Sequence, residues 1–135
     1  MNDRSTELLR FRPLLPNARV TEEMSLDEQF QNATLRPIIK FQNNLLVAAF
    51  RNYANKHKNS FYELTLPKRL EYIEHAVQKD MKFRNSLKGM IIGQFTVEEY
   101  EAYIQNSSAL NKRMMNMVVE RIKDQVQLFE LAPLV

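Results

Sequence analysis

The stretch Thr34-Leu35-Arg36-Pro37-Ile38-Ile39-Lys40-Phe41-Gln42-Asn43-Asn44-Leu45-Leu46-Val47-Ala48-Ala49-Phe50 decides the fold class. Its apolar residues Ile38, Phe41, Leu45, Ala48 and Ala49 recur at intervals of three and four. That is the rhythm of one helix face, not the alternation of a half-buried strand. Leu46, Val47 and Phe50 widen the stripe almost all round, so this helix is expected to be the central, most buried one. Pro37 either kinks one helix or separates two, with the first ending near Ala33 and Thr34 capping the second.

The same rhythm continues on both sides. Upstream, Ser25-Leu26-Asp27-Glu28 is a capping box that predicts a helix start at Leu26. Downstream, the cations around Lys56-His57-Lys58-Asn59 suit a helix C-terminus, and Thr65-Leu66-Pro67 suits the next N-terminus. Leu66, Leu70, Ile73 and Val77 make one stripe. Asp80 is placed to cap a further helix through Phe83, Leu87, Met90 and Ile91, which Gly93 would end with a left-handed residue. Thr96-Val97-Glu98-Glu99 is a second capping box. The last stripe runs Leu110, Met114, Val118, Ile122, Val126 and Phe129, with Pro133 beyond it. Phe61-Tyr62-Glu63-Leu64 is strand-like, but one strand makes no sheet. The expected fold is all-α: a compact, irregular bundle of five or six helices over residues 25–135, read as one domain.

Residues 1–24 read differently. Pro13 and Pro16 interrupt any helix there, so an irregular, extended arm is expected. It carries Leu8, Leu9, Phe11, Leu14 and Leu15, more apolar surface than a solvated tail keeps. The arm should therefore lie across the body or across a second copy.

Composition narrows the function. The chain has 135 residues and no Cys, which excludes a disulfide scaffold, a zinc ribbon and a thiol nucleophile. Two Gly are too few for a phosphate-cradling loop. Neither a secretory leader nor a run approaching the ~20 apolar residues of a membrane span is legible, so a cytoplasmic protein without a membrane partner is expected. His57 and His75 are the only histidines. With Glu71 on the same face as His75 they fall short of the three or four ligands of a metal site, so neither metal nor cofactor is assigned. The carboxylates Glu98, Glu99 and Glu101 occupy a first helical turn, where the dipole alone accounts for acids. No serine lies in a nucleophile elbow, and no catalytic residue is assigned.

Three groups of residues could still carry function. The basic set Arg51, Lys56, Lys58, Lys79, Lys82, Arg84 and Lys88 could line an anion- or nucleic-acid-binding surface. The net charge of +3 is small, however, and solvated helix faces account for such cations equally well. Tyr53, Tyr62, Tyr72 and His75 could surround a helical pocket for a small ligand or substrate. Met115 and Met117 leave the stripe of the last helix and, with the arm and the apolar end Leu131-Ala132-Pro133-Leu134-Val135, suggest more apolar surface than one small bundle hides.

Thr34-Leu35-Arg36-Pro37-Ile38-Ile39-Lys40, Lys82-Phe83-Arg84-Asn85-Ser86-Leu87-Lys88-Gly89 and Ser107-Ser108-Ala109-Leu110-Asn111-Lys112-Arg113 together resemble a group of small bacterial helical proteins. Some of that group bear an automatically assigned glyoxalase name. Glyoxalase chemistry implies a βαβββ metal site of His and Glu on strands, which two histidines and helical stripes do not supply, so the resemblance transfers no site residue. The leading expectation is a non-enzymatic structural or interaction protein, homodimeric or bound to another protein. A nucleic-acid accessory protein and a small enzyme or ligand-binding pocket are the alternatives.

Overall fold

The computed structural model describes residues 3–15, 19–57 and 60–129. Among these residues every regular element is helical, so the protein is all-α. The elements are α1 (Asp3–Phe11), α2 (Leu26–Phe30), α3 (Arg36–Phe41), α4 (Asn43–Lys56), α5 (Leu66–Lys79), α6 (Met81–Ile92), α7 (Val97–Tyr103) and α8 (Ser107–Asp124). A π turn spans Gln31–Leu35, and 3-10 turns span Ser60–Glu63 and Val126–Phe129. None of the described helices is long and apolar enough to cross a membrane. Pro16, Lys58, Asn59 and the apolar end Leu131–Val135 lie outside the described residues.

The chain divides into two compact units. One comprises Met1–Gln42 with Lys88–Met114, the other Asn43–Leu87 with Met115–Val135. They are called the N-unit and the M-unit below.

The N-unit corrects the expectation of an extended arm, because Asp3–Phe11 is the helix α1. Pro13 lies beyond its end, so nothing in α1 opposes helical geometry. Of the two outcomes read for Pro37, the separation into two helices does not occur. Pro37 lacks the N–H that would reach the carbonyl of Ala33, and its ring would crowd that carbonyl. The backbone widens into a π turn just ahead of it, and the Arg36 N–H reaches the Gln31 carbonyl. Leu35 and Arg36 keep helical angles, so the helix passes through without a break. Thr34 therefore caps nothing, and its hydroxyl turns to Glu99 instead. Buried apolar side chains of this unit include Leu35, Ile38, Ile39, Ile91, Phe95, Leu110 and Met114. Phe95 meets Phe30 and Tyr103 edge-on, each at 5.5 Å.

Both capping boxes form helix starts. The Ser25 hydroxyl accepts from the Glu28 N–H at 3.1 Å, and Thr96 with Glu99 makes the complete reciprocal pair. Gly93 departs from expectation. Its backbone is not left-handed, and its N–H continues the helical ladder to Gly89 at 2.9 Å. The carbonyls past the end of α6 are taken instead by arginines: Arg4 donates to Gly93 and Phe95, and Arg12 to Gln94.

The real helix break falls at Gln42, where ψ rises to 4°. It resets the phase of the apolar stripe over residues 38–50. Phe41 and Leu45 are half exposed and Ala48 is exposed, while Leu46, Val47, Phe50 and Ala54 form the buried face of α4. In the M-unit that face belongs to a ring cluster centred on Phe50. The centroids of Tyr53, Phe61, Tyr72, Phe83 and Phe129 all lie within 6.5 Å of it. Phe61 reaches the cluster from the 3-10 turn that replaces the strand-like stretch. Asp80 caps α6 through the Phe83 N–H at 3.3 Å, as its position predicted. On α8 the predicted residues Leu110, Met114, Val118 and Ile122 are buried, as are Val126 and Phe129 in the turn that follows.

Candidate functional site

Three of the four residues read as a pocket come together in the M-unit. Tyr53, Tyr72 and His75 line a cavity of about 400 Å³, with Leu64, Lys68, Glu71 and Ala76. Helix periodicity explains the gathering. Lys68, Glu71, Tyr72, His75 and Ala76 recur at three and four along α5, so they share one face. Tyr53 enters from α4 and Leu64 from the connection before α5. Tyr62 is not in the lining. Its carbonyl accepts from Arg69 at 2.8 Å, and its ring packs edge-on against Phe61.

The two lining phenols differ in their polar ends. The Tyr53 hydroxyl donates to the Asp80 carboxylate at 2.8 Å. Burial, helped by that bond and by the Asp80 charge, pushes the Tyr53 phenol well above its usual value. In return the Tyr53 hydrogen bond, with the Phe83 N–H, holds the Asp80 carboxyl below the usual carboxylate range. The Tyr72 phenol is raised too, by burial first and then by the Asp80 charge, so it stays a donor. Its hydroxyl is buried and has no hydrogen-bond partner. Tyr53 is itself clamped between rings, 4.3 Å from Phe83 and 4.2 Å from His57. His57 is fixed by its Nδ1, 2.7 Å from the Tyr53 carbonyl. At the mouth, the Lys68 ammonium meets the Glu71 carboxylate at 3.4 Å, and both side chains are well exposed.

The arm residues lie in the N-unit. Leu8 and Leu15 are half-buried, whereas Leu9, Phe11 and Leu14 are exposed by 54%, 65% and 92%. The contacts that fasten this segment are polar. Arg12 makes a paired contact with the Glu99 carboxylate and Arg4 grips the Gly93 and Phe95 carbonyls. Ser5 donates to Glu98 at 3.2 Å. Glu99 also accepts from Thr34 and from the Thr96 N–H, at 2.9 Å each. Burial alone would raise the Glu99 carboxyl, but the Arg12, Thr96 and Thr34 hydrogen bonds and the Arg12 charge outweigh it and hold it below the usual range. Sequence reasoning missed this junction. It recognised Glu99 as the end of a capping box, but nothing local links it to Arg12 or Thr34.

One expectation needs correction. Met115 is fully buried, so it belongs to the core and not to a docking surface; Met117 is half-buried. The basic residues differ in how open they are. Arg51 donates to the Leu128 carbonyl at 2.8 Å and lies over the Phe129 ring. Arg84 is bonded to Gln78. Lys56, Lys79 and Lys82 are exposed, Lys88 is a half-buried residue of the N-unit, and Lys58 lies outside the described residues. Among the described residues no group of three His, Asp or Glu is placed to hold a metal ion.

No protein-family model matches the chain, and no curated protein and no solved structure matches it.

Proposed function

We propose that the chain is a cytoplasmic, non-enzymatic interaction protein that pairs with a second copy of itself through the N-terminal helix α1 and the residues just after it. The observation that supports this reading is a group of large apolar side chains left exposed beside a polar anchorage. A helix docked on its own domain normally buries its apolar side and wets its polar side. Here Arg4, Ser5 and Arg12 make the polar contacts and Leu8 and Leu15 are half-buried, while Leu9, Phe11 and Leu14 face solvent. A buried ion pair holding a segment in place while its large apolar side chains stay wet is costly for an isolated molecule. It is economical when a partner covers those side chains. Glu7 and Arg10, bonded to each other at 2.9 Å beside the apolar residues, suit an isologous interface, in which each can exchange partners with its symmetry mate.

The test is mass in solution by light scattering at tens of micromolar. The full chain is expected to be dimeric, and the double variant Leu9→Asp, Phe11→Asp monomeric with an unchanged helical circular-dichroism spectrum. A full-length chain that stays monomeric, or a double variant that stays dimeric, overturns the reading.

A further inference from the structure

The N-unit has a second open apolar surface, on α7. Val97, Tyr100 and Ile104 follow one another at three and four along this short helix and its C-cap, so they share one side of it, and each is about half exposed. Leu26, 82% exposed, belongs to the same end of the unit. The Asp27 carboxylate beside it accepts from Asn106 at 2.9 Å and ties the start of α2 to the chain just past α7. The protein's own α1 does not cover the α7 stripe. Its Ser5 meets Glu98 and Arg12 meets Glu99, while Val97, Tyr100 and Ile104 stay open. Each N-unit therefore offers two apolar surfaces: Leu9, Phe11 and Leu14 on one side, the α7 stripe on the other.

Size and charge decide how the two are used. A stable interface buries about 800 Å² on each partner. Even a fully buried aromatic side chain supplies only ~150–250 Å², so three part-exposed residues meeting their own symmetry mates fall well short. Adding the α7 stripe roughly doubles the apolar contact. Stripe against stripe is disfavoured, because residues 97–105 carry Glu98, Glu99 and Glu101 and no Lys or Arg. The α1 surface has the complementary charge. Arg10 is exposed between Leu9 and Phe11 and bonded to Glu7. A guanidinium has five donors, so Arg10 can take a second carboxylate without giving up the first.

We infer that α1 of each copy docks on α7 of the other, so that two equal contacts about a two-fold axis close the dimer. Leu9, Phe11 and Leu14 lie on Val97, Tyr100 and Ile104, and Arg10 meets Glu101 across the interface. This rests on the pairing through α1 proposed above and names the surface that receives it.

The experiment combines mass in solution at tens of micromolar with cross-linking through introduced cysteines, since the chain has no Cys of its own. Tyr100→Asp with Ile104→Asp is expected to give a monomer with an unchanged helical circular-dichroism spectrum, although α1 is intact. Arg10→Glu and Glu101→Arg are each expected to weaken the dimer about fivefold, and to restore it when combined, two exposed pairs being lost and regained at once. A Phe11→Cys chain mixed with a Tyr100→Cys chain is expected to be joined by a short bismaleimide chiefly as the mixed pair. A Tyr100→Asp, Ile104→Asp variant that stays dimeric overturns the inference and leaves pairing through α1 standing. So does a Phe11→Cys chain that links mainly to itself, or a pair of reversed charges that fails to restore the dimer. A full-length chain that stays monomeric overturns the pairing itself, and this inference with it.

Discussion

Around Phe50, five rings and the buried aliphatic residues of α5 hold the M-unit with contacts that are mainly apolar, the Tyr53–Asp80 hydrogen bond at their edge. Around Glu99, the N-unit relies on Arg12, Thr34, Thr96 and the Arg4 grip on open carbonyls. The first arrangement is strong because rings bury much area and meet edge-on. The second is specific but conditional. A half-satisfied charge in a dry site is worse than no charge, so every member of the Glu99 group depends on the others. The contrast separates a unit that should answer to volume from a unit that should answer to charge.

The largest break should come from Phe50→Ala, which removes the hub of the ring cluster. A loss of about 4 kcal/mol in denaturant unfolding is expected, and about the same at pH 7 and pH 3.5. A strongly pH-dependent loss would contradict an apolar origin. Next, Arg12→Ala should cost about 3 kcal/mol at neutral pH by leaving Glu99 without its cation. Amide exchange should then quicken first in α1 and at Gln94–Glu99. If exchange in α1 is unchanged, Arg12 is not what fastens it.

Acid provides a third test, with a definite sign. The folded Glu99 carboxyl titrates below its unfolded value. Its contribution is therefore fully present above the ordinary carboxylate value of about 4.3 and disappears as the pH falls through the lower folded value. Amide exchange in α1 should rise below about pH 4 while the Phe50 cluster holds, and Glu99→Gln should abolish that difference. Simultaneous loosening of both units would remove the contrast.

The smallest effect sharpens the reading of α6. A Cβ at Gly89 would meet nothing within 4 Å, so Gly89→Ala should stabilise by about 0.8 kcal/mol through helix propensity alone. A Cβ at Gly93 would lie 3.1 Å from the Gly89 carbonyl oxygen, so Gly93→Ala should give no such gain. Thermal melts of the two variants decide it. An equal gain at both would mean that the close approach is relieved without cost.

Much of the local order was legible because its causes lie within a few residues of each other. The Ser25 and Thr96 boxes, the Asp80 cap and the α8 stripe all follow from spacing. The face of α4 was misjudged because the Gln42 break, which shifts the phase, has no strong residue signal. Met115 was misplaced for a related reason. A stripe at three and four marks the middle of a buried face but not its width, and α8 is covered broadly enough to bury Met115 and Val119 too.

By itself, the order of residues determined that the chain is helical and where most helices begin, since periodicity and capping act over one or two turns. Tertiary structure alone decided that Arg12 meets Glu99, that Arg4 reaches the carbonyls past α6, and that Ser5 meets Glu98. Those outcomes join groups as far apart as 93 residues in the chain, where pairing is set by which surfaces close over each other and not by any local preference.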